Sequence, residues 1–363
     1  MENLFAELLQ MSLGTRDSLS RAPSNVEWNA LFNGSQKQCV TGLMICGLEK
    51  LTADQKPPQA LLFEWIGLNQ MTEATYALHC ERAKELTERF KQQGYSSCVL
   101  KGIGTAQLYP LPARRQCGDI DLWVAPKVHD SRFLGEPSGK AERRVNGFRK
   151  ELTKWVKTQF SVGHSEWHHL EAEFFKDVSV EVHFHPAWLY NPVHNCKLQR
   201  FFEQKKDTSM MERTDGFNHP KPDFDVVFSL VHTFHHLLEE GVGMRHIVDY
   251  FYILKALPRD EREKSLEIIR ELGLEKFLSA MMWVLQEACG MSSEFLLCVP
   301  SETEGKFLLN EIMAGGNFGK TRTDGLKRNS FSRYRVMAQH YPSEVLWMVP
   351  WKVWHKLWRM RYN

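Results

Sequence analysis

The run Val178-Ser179-Val180-Glu181-Val182-His183-Phe184-His185 does most to narrow what this chain can fold into. It alternates strictly, with Val178, Val180, Val182 and Phe184 on one face and Ser179, Glu181, His183 and His185 on the other, and Pro186 ends it. A period of two over eight residues is a half-buried strand, and a strand needs a sheet. Two further short strands are expected, Ser96–Lys101 after the helix-ending Gly94, and Asp119–Val124. Nearly everything else has helical spacing. Before Gly94 the apolar positions Leu61, Leu62, Trp65, Leu68 and then Tyr76, Cys80, Ala83, Leu86, Phe90 fall three or four apart. Short helices are expected over Thr105–Tyr109 and Phe148–Phe160, with the polar stretch Ser131–Val145 a surface loop or helix start. Beyond Asn191 come helices over 223–240, with Asp223 as N-cap, then 244–257, 261–272 and 274–288. The expected class is α+β, a small mixed sheet flanked by N-terminal and C-terminal helical regions. The expected division is a helical region 1–95, a core 96–190, a helical domain 191–326 and a basic aromatic tail 327–363.

A chain of 363 residues that is 43% apolar can bury a sizeable core in two or three such parts. Its formal charge of +2 is unevenly spread: residues 327–363 hold eight Lys or Arg against the single acid Glu344, so the remainder is net acidic. The eight cysteines are scattered without a CxxC pair, as reduced thiols of a cytoplasmic protein would be. The first residues are acidic where a signal peptide is basic, and no apolar run approaches the ~18 residues a membrane span requires. A cytoplasmic protein without a membrane span is the expectation.

The chemistry concentrates around Gly118-Asp119-Ile120-Asp121-Leu122-Trp123-Val124. Two aspartates one residue apart on a strand share a face, about 7 Å apart along the backbone, where both carboxylates can converge on a divalent ion. Phosphoryl chemistry uses such ions to bridge phosphate oxygens and neutralise developing charge. Glu181, on the polar face of its own strand, is the candidate third acid, as ligand or as base. Upstream, Lys101-Gly102-Ile103-Gly104-Thr105 lies between strand and helix, where small residues let backbone amides approach a phosphate. Arg114 and Arg115 are placed to reach a triphosphate as well.

Taken with Leu108-Tyr109-Pro110 and Val180-Glu181-Val182-His183, these motifs resemble the uncharacterised nucleotidyltransferase family of minimal, DNA-polymerase-β-like folds. More distantly they are similar to the nucleotidyltransferase toxins of abortive-infection systems. The resemblance covers roughly residues 96 to 260. It implies Asp119 and Asp121 as the metal pair, Glu181 as third acid, and Lys101, Gly102, Gly104, Thr105 and Arg115 as nucleotide contacts. It also implies a His-rich helix, here His232, His235 and His236, followed by Arg245 and Asp249. The implied reaction moves a nucleoside monophosphate from a triphosphate such as ATP to an acceptor hydroxyl, with Mg2+ or Mn2+ and release of pyrophosphate. The acceptor stays open between a sugar, an antibiotic-like molecule, a tRNA end and a protein side chain. Two positions depart from the pattern: Gly118 stands where Ser is common, and the third acid is Glu rather than Asp.

Other readings compete at several positions. Apolar Leu122, Trp123 and Val124 after Asp121 exclude a calcium loop. Ala314-Gly315-Gly316-Asn317-Phe318-Gly319-Lys320-Thr321 fits a relaxed P-loop pattern, but a helical segment precedes it where a strand is required, so a Gly-rich loop is expected. His183 shares the face of Glu181, and His169 begins the hairpin leading to that strand; both are candidate substrate contacts. His232 and His236 have spacing that permits zinc, yet no His-Glu-x-x-His order and no cysteine cluster support it, so lining of a cleft or a satisfied core is expected. Arg245 and Asp249 are four apart and read as an ion pair or as cleft residues. In the tail, Trp347, Trp351, Trp354 and Trp358 form an aromatic stripe if the helix continues past Pro350. Such a stripe is expected to dock on the protein's own core, while interleaved basic residues also suit RNA or lipid headgroups. A nucleotide-binding module without turnover and a histidine-site metal hydrolase are the alternatives to the transferase.

Overall fold

The computed structural model describes residues 2–126, 138–206, 212–214, 216–320 and 331–362. Four helices open the chain, α1 (Glu2–Leu13), α2 (Asn25–Lys37), α3 (Thr41–Leu48) and α4 (Gln59–Gln92). Gly94, at φ 82°, then turns the chain into β1 (Tyr95–Val99), a left-handed position that suits a residue without Cβ. Next come the single turn α5 (Ile103–Ala106), β2 (Ile120–Pro126), α6 (Ser138–Gln159), β3 (Val162–Ser165), β4 (His169–Ala172) and β5 (Val180–His183). After α7 (Pro192–Lys205) and the small hairpin β6 (Glu212–Thr214) and β7 (Phe217–His219), the rest is helical. It comprises α8 (Pro222–Glu239), α9 (Met244–Ala256), α10 (Arg259–Glu271), α11 (Glu275–Cys289), α12 (Glu302–Gly315), α13 (Phe331–His340) and α14 (Pro342–Tyr362).

The five larger strands form one sheet in the order β1-β2-β5-β4-β3, with β2 and β5 parallel and the other pairs antiparallel, so the class is α+β with a small mixed sheet. The alternation of β2 and β5 divides two apolar cores. Ile120, Leu122, Val124, Val180 and Val182 face one core with Ala83, Leu86 and Phe90 of α4 and Leu152 and Val156 of α6. Trp123, on the opposite face, stacks on Phe224 at 5.5 Å and joins a second core running through α1, α3, α8, α9 and α11. The first helices close against the later ones: Thr15 Oγ1 donates to the Cys289 carbonyl at 2.7 Å and Gln10 Nε2 to that of Glu287 at 2.9 Å.

Several boundaries differ from expectation. α8 begins two residues earlier than a helix capped by Asp223 would, with Lys221 at the cap and Pro222 at the first position, where a missing amide costs nothing. Asp223 instead sits in the first turn and accepts from Lys205 Nζ at 2.6 Å. In place of the expected helix 105–109 there is the single turn 103–106, which contains Gly104. α6 starts at Ser138, so the later part of the polar stretch 131–145 is helical, while 131–137 lie outside the described residues.

In α8 the core holds one acid, Asp225, which is 1% exposed. Burial pushes its carboxyl up to about 8; the Asp249 charge adds to this, and the Ser229 hydrogen bond and Arg115 oppose it. With a folded pKa above the unfolded one, the stability from this group is full below about pH 4 and is lost as pH rises towards 8. Asp225→Asn, which keeps an acceptor for Ser229 Oγ, is expected to exceed the parent in denaturant stability at pH 8 by on the order of 1–3 kcal/mol, the gap closing towards about pH 4. Parallel denaturation curves across that range check it.

Candidate active site

The parallel pairing of β2 with β5 sets Asp121 directly beside Glu181 and Trp123 beside His183, and β4 adds His169 opposite His183. Since side chains alternate, these acids and imidazoles emerge on one face, with Asp119 just ahead of β2. The oxygens of Asp119, Asp121 and Glu181 lie within 4.8 Å of one another. Lys101, at the end of the turn after β1, places Nζ 3.2 Å from Asp121 Oδ2 and 4.0 Å from Asp119 Oδ2. From the other side His183 Nε2 lies 3.0 Å from Asp121 Oδ1 and 3.3 Å from Glu181 Oε2. Three carboxylates, one of them only 1% exposed, are thus held together by two cations.

The charges reinforce one another. Burial works against a charged His183, yet the Asp121 and Glu181 carboxylates outweigh it and lift the imidazole to about 9. Burial likewise opposes ionisation of Glu181, but His183, His169 and Lys101 bring it down to about 2. Lys101 is raised despite its burial by Asp119, Asp121 and Glu181. Burial holds His169 below its ordinary value, against the pull of Glu181. Its Nδ1 lies 2.6 Å from His168 Nε2.

The turn that presents Lys101 depends on its glycines. Gly102 has φ 66°, and a Cβ on Gly104 would stand 2.2 Å from the Val99 carbonyl oxygen, so α5 can fold back on β1 only with glycine there. The sequence suggested a phosphate cradle at Gly104; the structure makes it a close-packing position behind the site. Behind Asp119, the His79 ring of α4 stands between the carbonyls of Thr75 and Gly118, at 2.7 and 3.0 Å, and fixes the approach to β2.

A cleft runs from the carboxylates to the faces of α8 and α9. Lys101, Gly102, Thr105, Arg115, Gly118 and Asp119 form one wall; Ser229, His232, Thr233, Arg245, His246, Asp249 and Phe318 form the other. The cleft is narrow, with a free volume of ≈30 Å³. His236 adjoins the second wall, its Nε2 3.0 Å from His232 Nε2 and its Nδ1 2.8 Å from a Glu240 oxygen. His246 joins these two within 4.8 Å, and burial keeps all three imidazoles below the ordinary value.

Of the residues singled out from sequence, Lys101, Asp119, Asp121, His169, Glu181 and His183 form one cluster. Gly102, Thr105, Arg115, His232, Arg245 and Asp249 line the adjoining cleft. The expected Arg245–Asp249 pair does not form: Arg245 Nη1 donates to the Gln116 carbonyl at 3.1 Å, and Asp249 takes Arg115 in a two-point contact at 2.8 and 2.7 Å. Tyr109 Oη also donates to Asp249, at 2.6 Å. Arg115 is 5% exposed and its remaining Nη1 goes to the Gln116 carbonyl, so its donors are committed inside the protein. Arg114 points away to Glu49 at 2.7 Å. Sequence reading missed His246, Ser229, Thr233 and Phe318. Phe318 has φ 57°, rare outside glycine, on a loop where a Cβ at Gly319 would meet the Glu240 carbonyl, and its ring reaches within 4.8 Å of His236. The P-loop-like run that contains it follows the helix α12 rather than a strand, and its Thr321 lies outside the described residues.

Because Arg115 and Asp249 are both buried, truncating one strands the other's charge. Arg115→Met is expected to cost about 3–5 kcal/mol of stability, and Arg115→Met with Asp249→Leu markedly less, as denaturant unfolding of the variants would show.

A family model described as uncharacterised nucleotidyltransferase matches residues 24–290. No curated protein matches the chain. Among solved structures, an antigenic nucleotidyltransferase-like protein from Paracoccidioides brasiliensis aligns with 13% identity and a TM-score of 0.34, over 62% of this chain and 94% of its own. That likeness is too slight to carry an inference.

Proposed function

The chain belongs to the uncharacterised nucleotidyltransferase family, and from that premise we propose that it moves a nucleoside monophosphate from a triphosphate to an acceptor hydroxyl. One observation supports this above the rest: the oxygens of Asp119, Asp121 and Glu181 converge, with Lys101 beside them, where the cleft begins. The acceptor oxygen would form a bond to the α-phosphorus as the bond to the β-phosphate breaks, pyrophosphate departing and the hydroxyl proton passing to solvent or a base. In this reading residues 96–190 are the catalytic core, and the helices of 191–326 close the cleft and select the acceptor.

The donor set fits a hard divalent ion. Asp121 Oδ2 is buried without a hydrogen bond of ordinary geometry, its neighbour being the Lys101 ammonium, and three carboxylates supply the oxygen ligands Mg2+ or Mn2+ prefer. Such an ion would neutralise charge on the phosphates and the departing pyrophosphate. Asp119, Asp121 and Glu181 would hold it. A carboxylate held near 2 is a weak base, which favours the ligand role for Glu181 over proton acceptance. Lys101 is placed to exchange a carboxylate partner for a phosphate oxygen. Arg245, over the Phe318 ring at 5.7 Å, is the cation of the far wall best placed to meet the triphosphate.

Thermal unfolding with each nucleoside triphosphate, with and without Mg2+, tests the reading. At one hundred times the dissociation constant a ligand adds about 2.7 kcal/mol, a shift of several degrees. The expected result is a metal-dependent shift for at least one nucleotide, abolished in Asp119→Asn and Asp121→Asn. Full transferase activity in Asp119→Ala or Asp121→Ala would sink the mechanism, and binding without turnover in the parent would favour the regulatory module.

The imidazoles of His232, His236 and His246 keep a second reading in play, a histidine-site metal hydrolase. Their convergence suits a transition metal, and Glu240 would orient His236 as carboxylates commonly do behind metal-bound histidines. Elemental analysis of dialysed protein decides it: no stoichiometric zinc or related metal ends this reading.

A further inference from the structure

α14 is anchored to the body along one side and bare along the other. Glu344 accepts from the Tyr190 and Asn191 amides at 2.7 and 3.0 Å, Met348 is fully buried, and His355 reaches Glu166 at 2.8 Å. Trp351 stacks on Trp188 at 5.5 Å, and Trp358 lies under the Arg149 guanidinium at 4.0 Å. Half of the tryptophan stripe therefore docks on the protein, and these contacts fix which side of the helix faces outward.

That outward side is apolar. Leu346 is 73% exposed, Val349 59%, Val353 56%, Leu357 62% and Met360 77%, and with Pro350 they recur at i, i+3, i+4, i+7, i+11 and i+14, a continuous stripe down the helix. Trp347 and Trp354, 43% and 42% exposed, run along one margin. They also wall, with Trp167, Leu189, Tyr190 and Pro350, an aromatic cavity of ≈360 Å³, so the apolar surface continues into the body. Lys352, Lys356 and Arg359, at i, i+4 and i+7, follow the other margin. Lys352 and Arg359 share their charge with Glu239 and Glu166, each at 3.1 Å, while Lys356 is exposed. Residues 345–363 contain no acid, and residues 327–363 as a whole carry eight basic residues against the one buried acid Glu344.

From this arrangement we propose that α14 is an interfacial helix that seats the protein on an anionic lipid surface. Scattered exposed apolar residues are ordinary, but a contiguous stripe of this length marks a docking surface. Tryptophans on one margin and basic residues on the other suit the boundary between acyl chains and negative headgroups. A second copy packed antiparallel on the same stripe would set the two margins of Lys352, Lys356 and Arg359 side by side, which disfavours that arrangement. Among the described residues no helix is long and apolar enough to cross a membrane, so the helix lies on the surface rather than spanning it.

Full-length protein is incubated with phosphatidylcholine vesicles, and separately with vesicles containing phosphatidylglycerol, and recovered by flotation. Binding is expected with the anionic vesicles, weakening as salt is raised. Val353→Asp with Leu357→Asp, both exposed and so harmless to folding, is expected to lower the bound fraction about tenfold or more, because each removes an aliphatic side chain whose burial favours binding. Lys356→Glu is expected to lower it less and to flatten the salt dependence. Unchanged melting temperatures show that the variants fold. Absence of parent protein from both floated fractions overturns the proposal, as does equal binding by the double variant. Concentration-dependent dimerisation lost in that variant, without vesicle binding, assigns the stripe to a second copy and overturns it too.

Discussion

Asp121 is an acid almost wholly withdrawn from water in the middle of a sheet, and much of the surrounding arrangement follows from supplying partners to its carboxyl group. A buried carboxylate without partners would take up a proton or unfold its strand. Here Lys101 comes from the turn after β1 and His183 from β5, so the two strands that flank β2 each contribute a cation. The parallel register that places Glu181 beside Asp121 brings like charges together, which the same two cations, with His169 beside Glu181, make tolerable. A one-residue slip of β5 would send Glu181 and His183 into the apolar core with Leu86 and Phe90 and turn Val180 and Val182 towards the acids. The hydrophobic pattern and the site's electrostatics therefore specify one register together.

Much of this was legible because it is periodic. The alternation of 178–185 announced the strand, the face and the association of Glu181 with His183; the Asp-x-Asp run did the same for β2, and Gly94 marked the end of α4. Family resemblance supplied what periodicity cannot, that β2 and β5 belong together. What escaped were relations between distant segments. Asp249 has Arg245 four residues before it, the pairing local spacing suggests, but its partner is Arg115, well over a hundred residues away, because α9 packs against the turn before β2. His246 could not be joined to His232 and His236 without knowing that Gly241 and Gly243 fold α9 back along α8.

The same limit applies to the cores. Spacing identifies which residues of α1, α3, α8 and α11 are apolar, but not that they share one interior closed by the Thr15 and Gln10 hydrogen bonds to the end of α11. The sheet consequently has different support on its two faces. One rests on the long α4 and on α6, the other on the large helical body through Trp123, Phe202 and Phe224. The acids emerge at the edge of the second interface, so any adjustment of α8 and α9 against the sheet alters the cleft directly.

Phe318 shows how local strain and the site are connected. Its left-handed backbone would be abandoned in a free loop, and it persists because Gly319 lies against the Glu240 carbonyl and Asn317 against Gly243, clamping the loop to the junction of α8 and α9. The ring is thereby held over His236 and His246, with the Arg245 guanidinium on its face. Phe318 lines the far wall of the narrow cleft, so this ring and the α8–α9 junction that fixes it bound the cleft on that side. The loop after α12, whose sequence fits a relaxed P-loop pattern but reads as a Gly-rich loop, contributes one aromatic side chain to the wall of the cleft beside the site formed by β2 and β5.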